Sequence, residues 1–128
     1  MANFIVEKFN KIVYEACERF GAKNGVGAEN IQLRFNVEND EVGYKLMKDY
    51  VKISDLTFNE ILNVRMDFRG YSLIVPHFIK QTLSGYAEEM KVLVETLSVI
   101  CLVREKSVYM CLYKGTEYIK QIDLEEEL

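Results

Sequence analysis

Tryptophan is absent from this chain, proline and histidine occur once each, and the three cysteines form no CxxC pair. With one histidine, any nucleophilic arrangement of the Ser/His/Asp or Cys/His type has to be built around His77, and no GxSxG elbow lies near it. No HxxxH or HExxH spacing and no cysteine cluster supplies metal ligands, so neither a metal nor a cofactor is expected. Cys17, Cys101 and Cys111 are odd in number and sit in apolar segments, which excludes a disulfide framework and reads as buried thiols. No basic run is present and the net charge is -4, which argues against nucleic acid as a partner, since affinity for a phosphate backbone rests on clustered Lys and Arg. A charged-then-apolar leader and an apolar stretch of membrane length are both missing, so the expected location is cytoplasmic, without membrane insertion. Neither an internal repeat nor a low-complexity linker is apparent along the 128 residues.

What is present is the composition of a packed globular chain. Apolar residues make up 49% and charged residues 28%, and the length suits one domain. Eight Tyr and seven Phe supply large core side chains, several needing a partner for a phenol. The acidic run Glu125-Glu126-Glu127 reads as a solvated end.

Hydropathy patterning predicts alternating helices and strands. Ile5, Phe9, Ile12, Val13, Ala16 and Phe20 fall on one side of a helix, which Asn3 caps and Gly21 ends. A glycine loop over Gly21–Gly27 leads to a strand in which Ile31, Leu33, Phe35 and Val37 alternate with Gln32, Arg34 and Asn36. After a turn at Asn39-Asp40, Val42, Leu46, Met47, Tyr50 and Val51 recur at helical spacing up to Ile53. Leu56 to Leu62 fits a short helix or an extended edge, and Val64 to Phe68 a strand closed by Arg69-Gly70. Pro76 suits the first turn of a helix running to about Met90. Val92 to Val103 reads as a strand buried on both faces; Val108 to Tyr113 fits either a hairpin partner or a helix, and Tyr118 to Leu124 a last short element. The expected fold class is α/β, a single small sheet with helices packed on it, with a parallel tendency where helices separate strands.

Few residues carry a chemical signal. The glycine loop permits close approach of an anion, but it follows a helix and precedes a strand, the reverse of a dinucleotide fingerprint. Glu88 and Glu89 are adjacent on a helix and face apart, and nothing in the spacing of Asp49, Asp55 and Asp67 brings them together.

The segment from Val64 to Leu83 resembles the STAS-like domain family, whose members carry a strand ending in aspartate, aromatic and glycine, then a loop with isoleucine and a phenylalanine opening a helix; these places look like Asp67, Phe68, Gly70, Ile74 and Phe78. The resemblance implies a sheet covered by helices and a regulator that engages an ATP-binding protein partner. Where some members carry a phosphorylated serine at the helix start, this chain has Pro76 and His77. The leading expectation is a non-enzymatic interaction module contacting a protein partner through Tyr71, Leu73, Ile74 and His77. A second reading is a domain for a small anionic ligand or nucleotide, held by Lys23, Arg65, Arg69 and the glycine loop. A third is a small phage- or plasmid-borne inhibitor, self-assembling as a homodimer through Phe4, Ile5, Phe9 and Ile12.

Overall fold

The computed structural model describes residues 2–62 and 71–122, with side chains described from Glu7 to Leu62 and from Val75 to Ile122. Helix α1 spans Ala2–Lys23 and buries Phe9, Ile12, Val13, Ala16, Cys17 and Phe20 along one stripe. It starts ahead of Asn3 and continues past Gly21, so neither residue is the boundary that the sequence suggested. Gly21 is required for packing: a Cβ there would lie 2.8 Å from the Val26 carbonyl oxygen. The chain then turns through a single 3-10 turn at Ala28–Asn30 into the sheet.

Strands β1 (Ile31–Glu38), β2 (Glu41–Lys48) and β3 (Val51–Leu56) form a meander. The helix expected over Val42 to Ile53 is therefore two strands. Val42, Tyr44 and Leu46 also alternate, and pairing with β1 decides between the two periods. Both connections are two-residue turns with positive φ, at Asn39 and Asp40 and at Asp49 and Tyr50, the geometry that matches strand twist in a tight hairpin.

A short helix α2 (Phe58–Leu62) follows. A reciprocal cap opens it, the Thr57 N–H donating to Glu60 Oε1 at 2.9 Å and the Glu60 N–H to Thr57 Oγ1 at 3.2 Å. Arg19 ties it to α1 by donating to the carbonyls of Glu60 and Ile61. The strand expected at Val64 to Phe68 lies outside the described residues. Helix α3 (Tyr71–Met90) begins well before Pro76, which sits inside it and not in its first turn as the sequence suggested. Strands β4 (Leu97–Arg104), β5 (Ser107–Lys114) and β6 (Glu117–Ile122) complete the described chain, and the alternatives at Val108 to Tyr113 resolve as a hairpin.

The six strands lie in the order β3-β2-β1-β4-β5-β6 and every pairing is antiparallel. The parallel tendency is overturned because tight hairpins make two meanders, and the helical crossover returns β4 antiparallel beside β1.

The two halves are one motif used twice, contrary to the expectation of no repeat. Moving 66 positions along the chain takes Ile31–Glu38 onto Leu97–Arg104, Glu41–Lys48 onto Ser107–Lys114 and Val51–Leu56 onto Glu117–Ile122. Connecting bonds repeat as well: Val26 N–H to Gly21 O (2.9 Å) matches Val92 N–H to Ala87 O (3.0 Å), and Asp49 N–H to Asn30 O (2.9 Å) matches Gly115 N–H to Thr96 O (3.0 Å). Side chains match where the core demands it. Phe9, Val13, Cys17 and Phe20 are echoed by the buried Val75, Ile79, Leu83 and Tyr86, and Leu33, Val37 and Leu46 by Val99, Val103 and Leu112. All of these belong to one core cluster, in which α1, α2 and α3 cover the same face of the sheet.

Candidate functional site

The other face of the sheet carries no described helix, and its residues follow from the strand registers. Gln32, Arg34 and Asn36 of β1 point to it, flanked by Met47 and Lys45 of β2 and by Leu102, Ile100 and Ser98 of β4. Tyr109, Cys111 and Tyr113 of β5 and Tyr118 of β6 extend it on one side, Lys52 and Asp55 of β3 on the other. Met47, Ile100, Leu102 and Cys111 are buried yet stand outside the core cluster, so this face has an apolar floor of its own.

The repeat breaks on this face. Arg34, Asn36, Lys45, Lys52 and Asp55 of the first half have Ile100, Leu102, Cys111, Tyr118 and Gln121 as counterparts. One half of the surface is charged and the other is apolar and aromatic, although the backbone beneath them is the same. Tyr113 and Tyr118 meet edge to face at 5.7 Å between ring centres, and the Arg104 guanidinium lies over the Tyr109 ring at 5.9 Å. Burial raises the Tyr113 phenol above its ordinary pKa, with Tyr50, Cys111 and Tyr118 adding to the shift.

Charges on the first half are only partly compensated. Lys45 pairs with Glu38 at 3.0 Å, and Lys52 with Asp55 at 3.0 Å. Hydrogen bonding from Asn36 and then Lys45 holds the Glu38 carboxyl below its usual pKa, and the hydrogen bond from Lys52 does the same for Asp55. Arg34 stands directly opposite Lys45 and has no carboxylate partner among the described residues. Its Nε is buried without a hydrogen bond, and so is the Oγ of Ser98, a residue with no exposed surface. Arg34 pairs with Ile100 and Asn36 with Ser98, which makes Arg34 and Ser98 diagonal neighbours on one face, about 7 Å apart between backbones. Each unsatisfied buried donor costs about 1–3 kcal/mol. Gln32, by contrast, is satisfied, its Oε1 accepting from the Tyr50 N–H at 2.7 Å.

The sequence-predicted site residues lie elsewhere. His77 is exposed on α3, and the side chains of Tyr71, Leu73 and Ile74 lie outside the described residues. Lys23 ends α1 with its Nζ over the Phe20 ring; Arg65 and Arg69 lie outside the described residues, and the glycine segment is helix end and turn rather than an open loop. Asp49 accepts from Asn30 at the start of β3 while Asp55 sits near its end, so folding keeps these two apart; Asp67 lies outside the described residues. Phe9 and Ile12 are buried against the sheet and offer no dimer contact, and the side chains of Phe4 and Ile5 lie outside the described residues. Among the described residues no group of three His, Cys, Asp or Glu could hold a metal ion. Burial pushes the Cys17 thiol up to about 12 and Cys101 well above its ordinary value, which keeps both protonated and unreactive at neutral pH.

An open groove of about 790 Å³ runs between Tyr14 and Glu18 of α1 and Lys106 and Tyr109 of the β4–β5 hairpin. In the other half the counterparts of Tyr14 and Lys106 are Lys80 and Asp40, which bridge at 2.8 Å. The sequence reading missed Arg34 and Ser98 because alternation marks Gln32, Arg34 and Asn36 as an ordinary solvent-facing side. Aligning the chain with itself at the 66-residue shift would have shown which of those positions differ between halves.

No family model, curated protein or solved structure matches the chain. Among the described residues no helix is long and apolar enough to cross a membrane.

Proposed function

We propose that this protein is a non-enzymatic interaction module that binds a protein partner on the helix-free face of its sheet. The observation that carries the reading is the selective divergence of the repeat. Core positions keep their apolar character through both halves, while the opposite face splits into a charged half and a tyrosine-rich half. A face needed only for solubility has no reason to bury Met47, Ile100 and Leu102 beside an arginine that no described carboxylate pairs. Tyrosine and arginine beside an apolar floor are the residue types that anchor protein interfaces.

Affinity capture from the source lysate tests this with three chains: wild type, Tyr118→Ala on the free face and His77→Ala on α3. Tyr118 is 54% exposed and His77 is exposed, so both variants keep the fold. The expected result is one stoichiometric partner that is lost with Tyr118→Ala and retained with His77→Ala. Loss with His77→Ala alone would move the interface to α3 and overturn the proposal. An ATP-binding protein as the partner would add weight to the regulatory role that the STAS-like resemblance implies.

A further inference from the structure

We infer that the free face of the sheet seats a carboxylate of the partner on the Arg34 guanidinium, with the Ser98 hydroxyl as a second donor; this deepens the interface reading above and rests on it. Three observations converge on the site. Arg34 carries a full positive charge that no described carboxylate neutralises, whereas its neighbours Lys45 and Lys52 are each matched by Glu38 and Asp55. Arg34 and Lys45 stand directly opposite one another across the β1–β2 ladder, a like-charge pair that an anion placed over it would relieve. The Nε of Arg34 and the Oγ of Ser98 are both buried donors with no acceptor among the described residues, and they are diagonal neighbours on the same face. Ser98 has no exposed surface, so an acceptor reaches its hydroxyl only by parting the side chains around it.

The chemistry selects a carboxylate. A guanidinium offers parallel N–H donors that match the two oxygens of a carboxylate, and a hydroxyl beside it can donate to the same group. The face around the pair is apolar and aromatic on one side, with Ile100, Leu102 and Tyr113, and at its centre stands Arg34, which no described carboxylate pairs. That arrangement fits one acidic side chain embedded in an otherwise apolar partner segment. A dianion would bring more charge than the site neutralises, since Lys45 and Lys52 are already paired.

The experiment follows the side-chain Nε–Hε resonance of Arg34 in the nitrogen-15-labelled full-length protein during titration with a capped tetraglutamate peptide. A capped tetraglutamine peptide and inorganic phosphate, both at matched ionic strength, serve as comparisons. The expected result is a saturable shift of the Arg34 resonance with tetraglutamate only and, followed on the β1 backbone amide resonances that both proteins share, an affinity weakened at least tenfold by Arg34→Lys, whose point-charge ammonium lacks the paired donors. No saturable shift would overturn the inference, as would an equal response to phosphate or undiminished binding by Arg34→Lys. The two readings fail separately. Partner capture that survives Arg34→Lys but not Tyr118→Ala leaves the interface standing without the carboxylate seat, and tetraglutamate binding with no loss of capture by Tyr118→Ala leaves the seat without the interface.

Discussion

Arg34 pairs across the β1–β4 seam with Ile100, the residue that holds its own place in the second half of the chain. Only a pair on the pseudo-two-fold axis can have that property; on either side of it Gln32 pairs with Leu102 and Asn36 with Ser98, which exchange under the same shift. The centre of the sheet is thus the point where two equivalent backbones are forced into contact, and there the sequence places a charge against an aliphatic side chain. Divergence at the axis is what turns a symmetric scaffold into an asymmetric surface.

The core is expected to be unevenly loaded between the halves. Phe35 is fully buried and meets Phe9 and Tyr44 edge-on at 6.3 and 5.4 Å between ring centres, whereas its counterpart is the small Cys101. Phe35→Ala should therefore lower stability by about 3–5 kcal/mol, and Cys101→Ala by about 1 kcal/mol. Urea unfolding midpoints measure both, and equal losses would contradict the packing described.

The elements most legible in the sequence were those in which a single period dominates. Residues 31–37 alternate without interruption and form a strand, and Phe9 through Phe20 keep a clean helical stripe. Val42 to Val51 satisfies two periods at once, and only pairing with β1 chooses the strand, information held some ten residues upstream. The repeat was hidden because its counterparts agree in apolar character rather than identity, as Phe35 and Cys101 do. The candidate face was invisible for a related reason: a buried polar residue such as Ser98 within a continuous apolar run reads as a tolerated exception until the strand order puts Arg34 diagonally beside it.

Two glycines make opposite predictions. At Gly21 a Cβ would meet the Val26 oxygen at 2.8 Å and the Gly27 backbone at 3.1 Å, so Gly21→Ala forces the α1 to β1 connection apart and should cost about 1–3 kcal/mol. Gly85 lies inside α3 with nothing within 4 Å of an added Cβ, and Gly85→Ala should stabilise by about 0.5–1 kcal/mol through helix propensity and a less flexible unfolded chain. Thermal melts of the two variants should move in opposite directions, and a rise for both would mean that the connection yields freely.

Stability should fall on the alkaline side. Burial raises the Cys17 thiol from 9.0 to about 12 and the Tyr44 phenol from 10.0 to about 12, so the unfolded chain releases these protons first. The stabilisation is complete below pH 9 and is lost as pH rises through about 9 to 12, at a limiting slope of about 1.4 kcal/mol per pH unit for each group. Denaturant unfolding from pH 8 to 11 should show the decline beginning with the buried thiols of Cys17 and Cys101 and steepening as Tyr44 joins. Burial raises the Cys101 thiol as well, so Cys17→Ala should make the first part of the decline shallower by one thiol's share without flattening it, and an unchanged profile would remove Cys17 from the account.

Binding and stability should pull against each other at the centre of the free face. The Arg34 Nε and the Ser98 Oγ are buried without acceptors, and removing such a donor recovers its desolvation penalty. Arg34→Met keeps the length of the side chain and extends the apolar floor formed by Met47, Ile100 and Leu102, so it should raise stability by about 1 kcal/mol; Ser98→Ala should gain a similar amount. The same Arg34→Met variant should lose the tetraglutamate response, because the guanidinium that seats the carboxylate is gone. A residue kept for packing would show the reverse sign, with stability falling on substitution. Chemical denaturation and peptide titration on one preparation therefore separate the two roles, since only an arginine retained for a partner makes the free protein weaker and the complex possible.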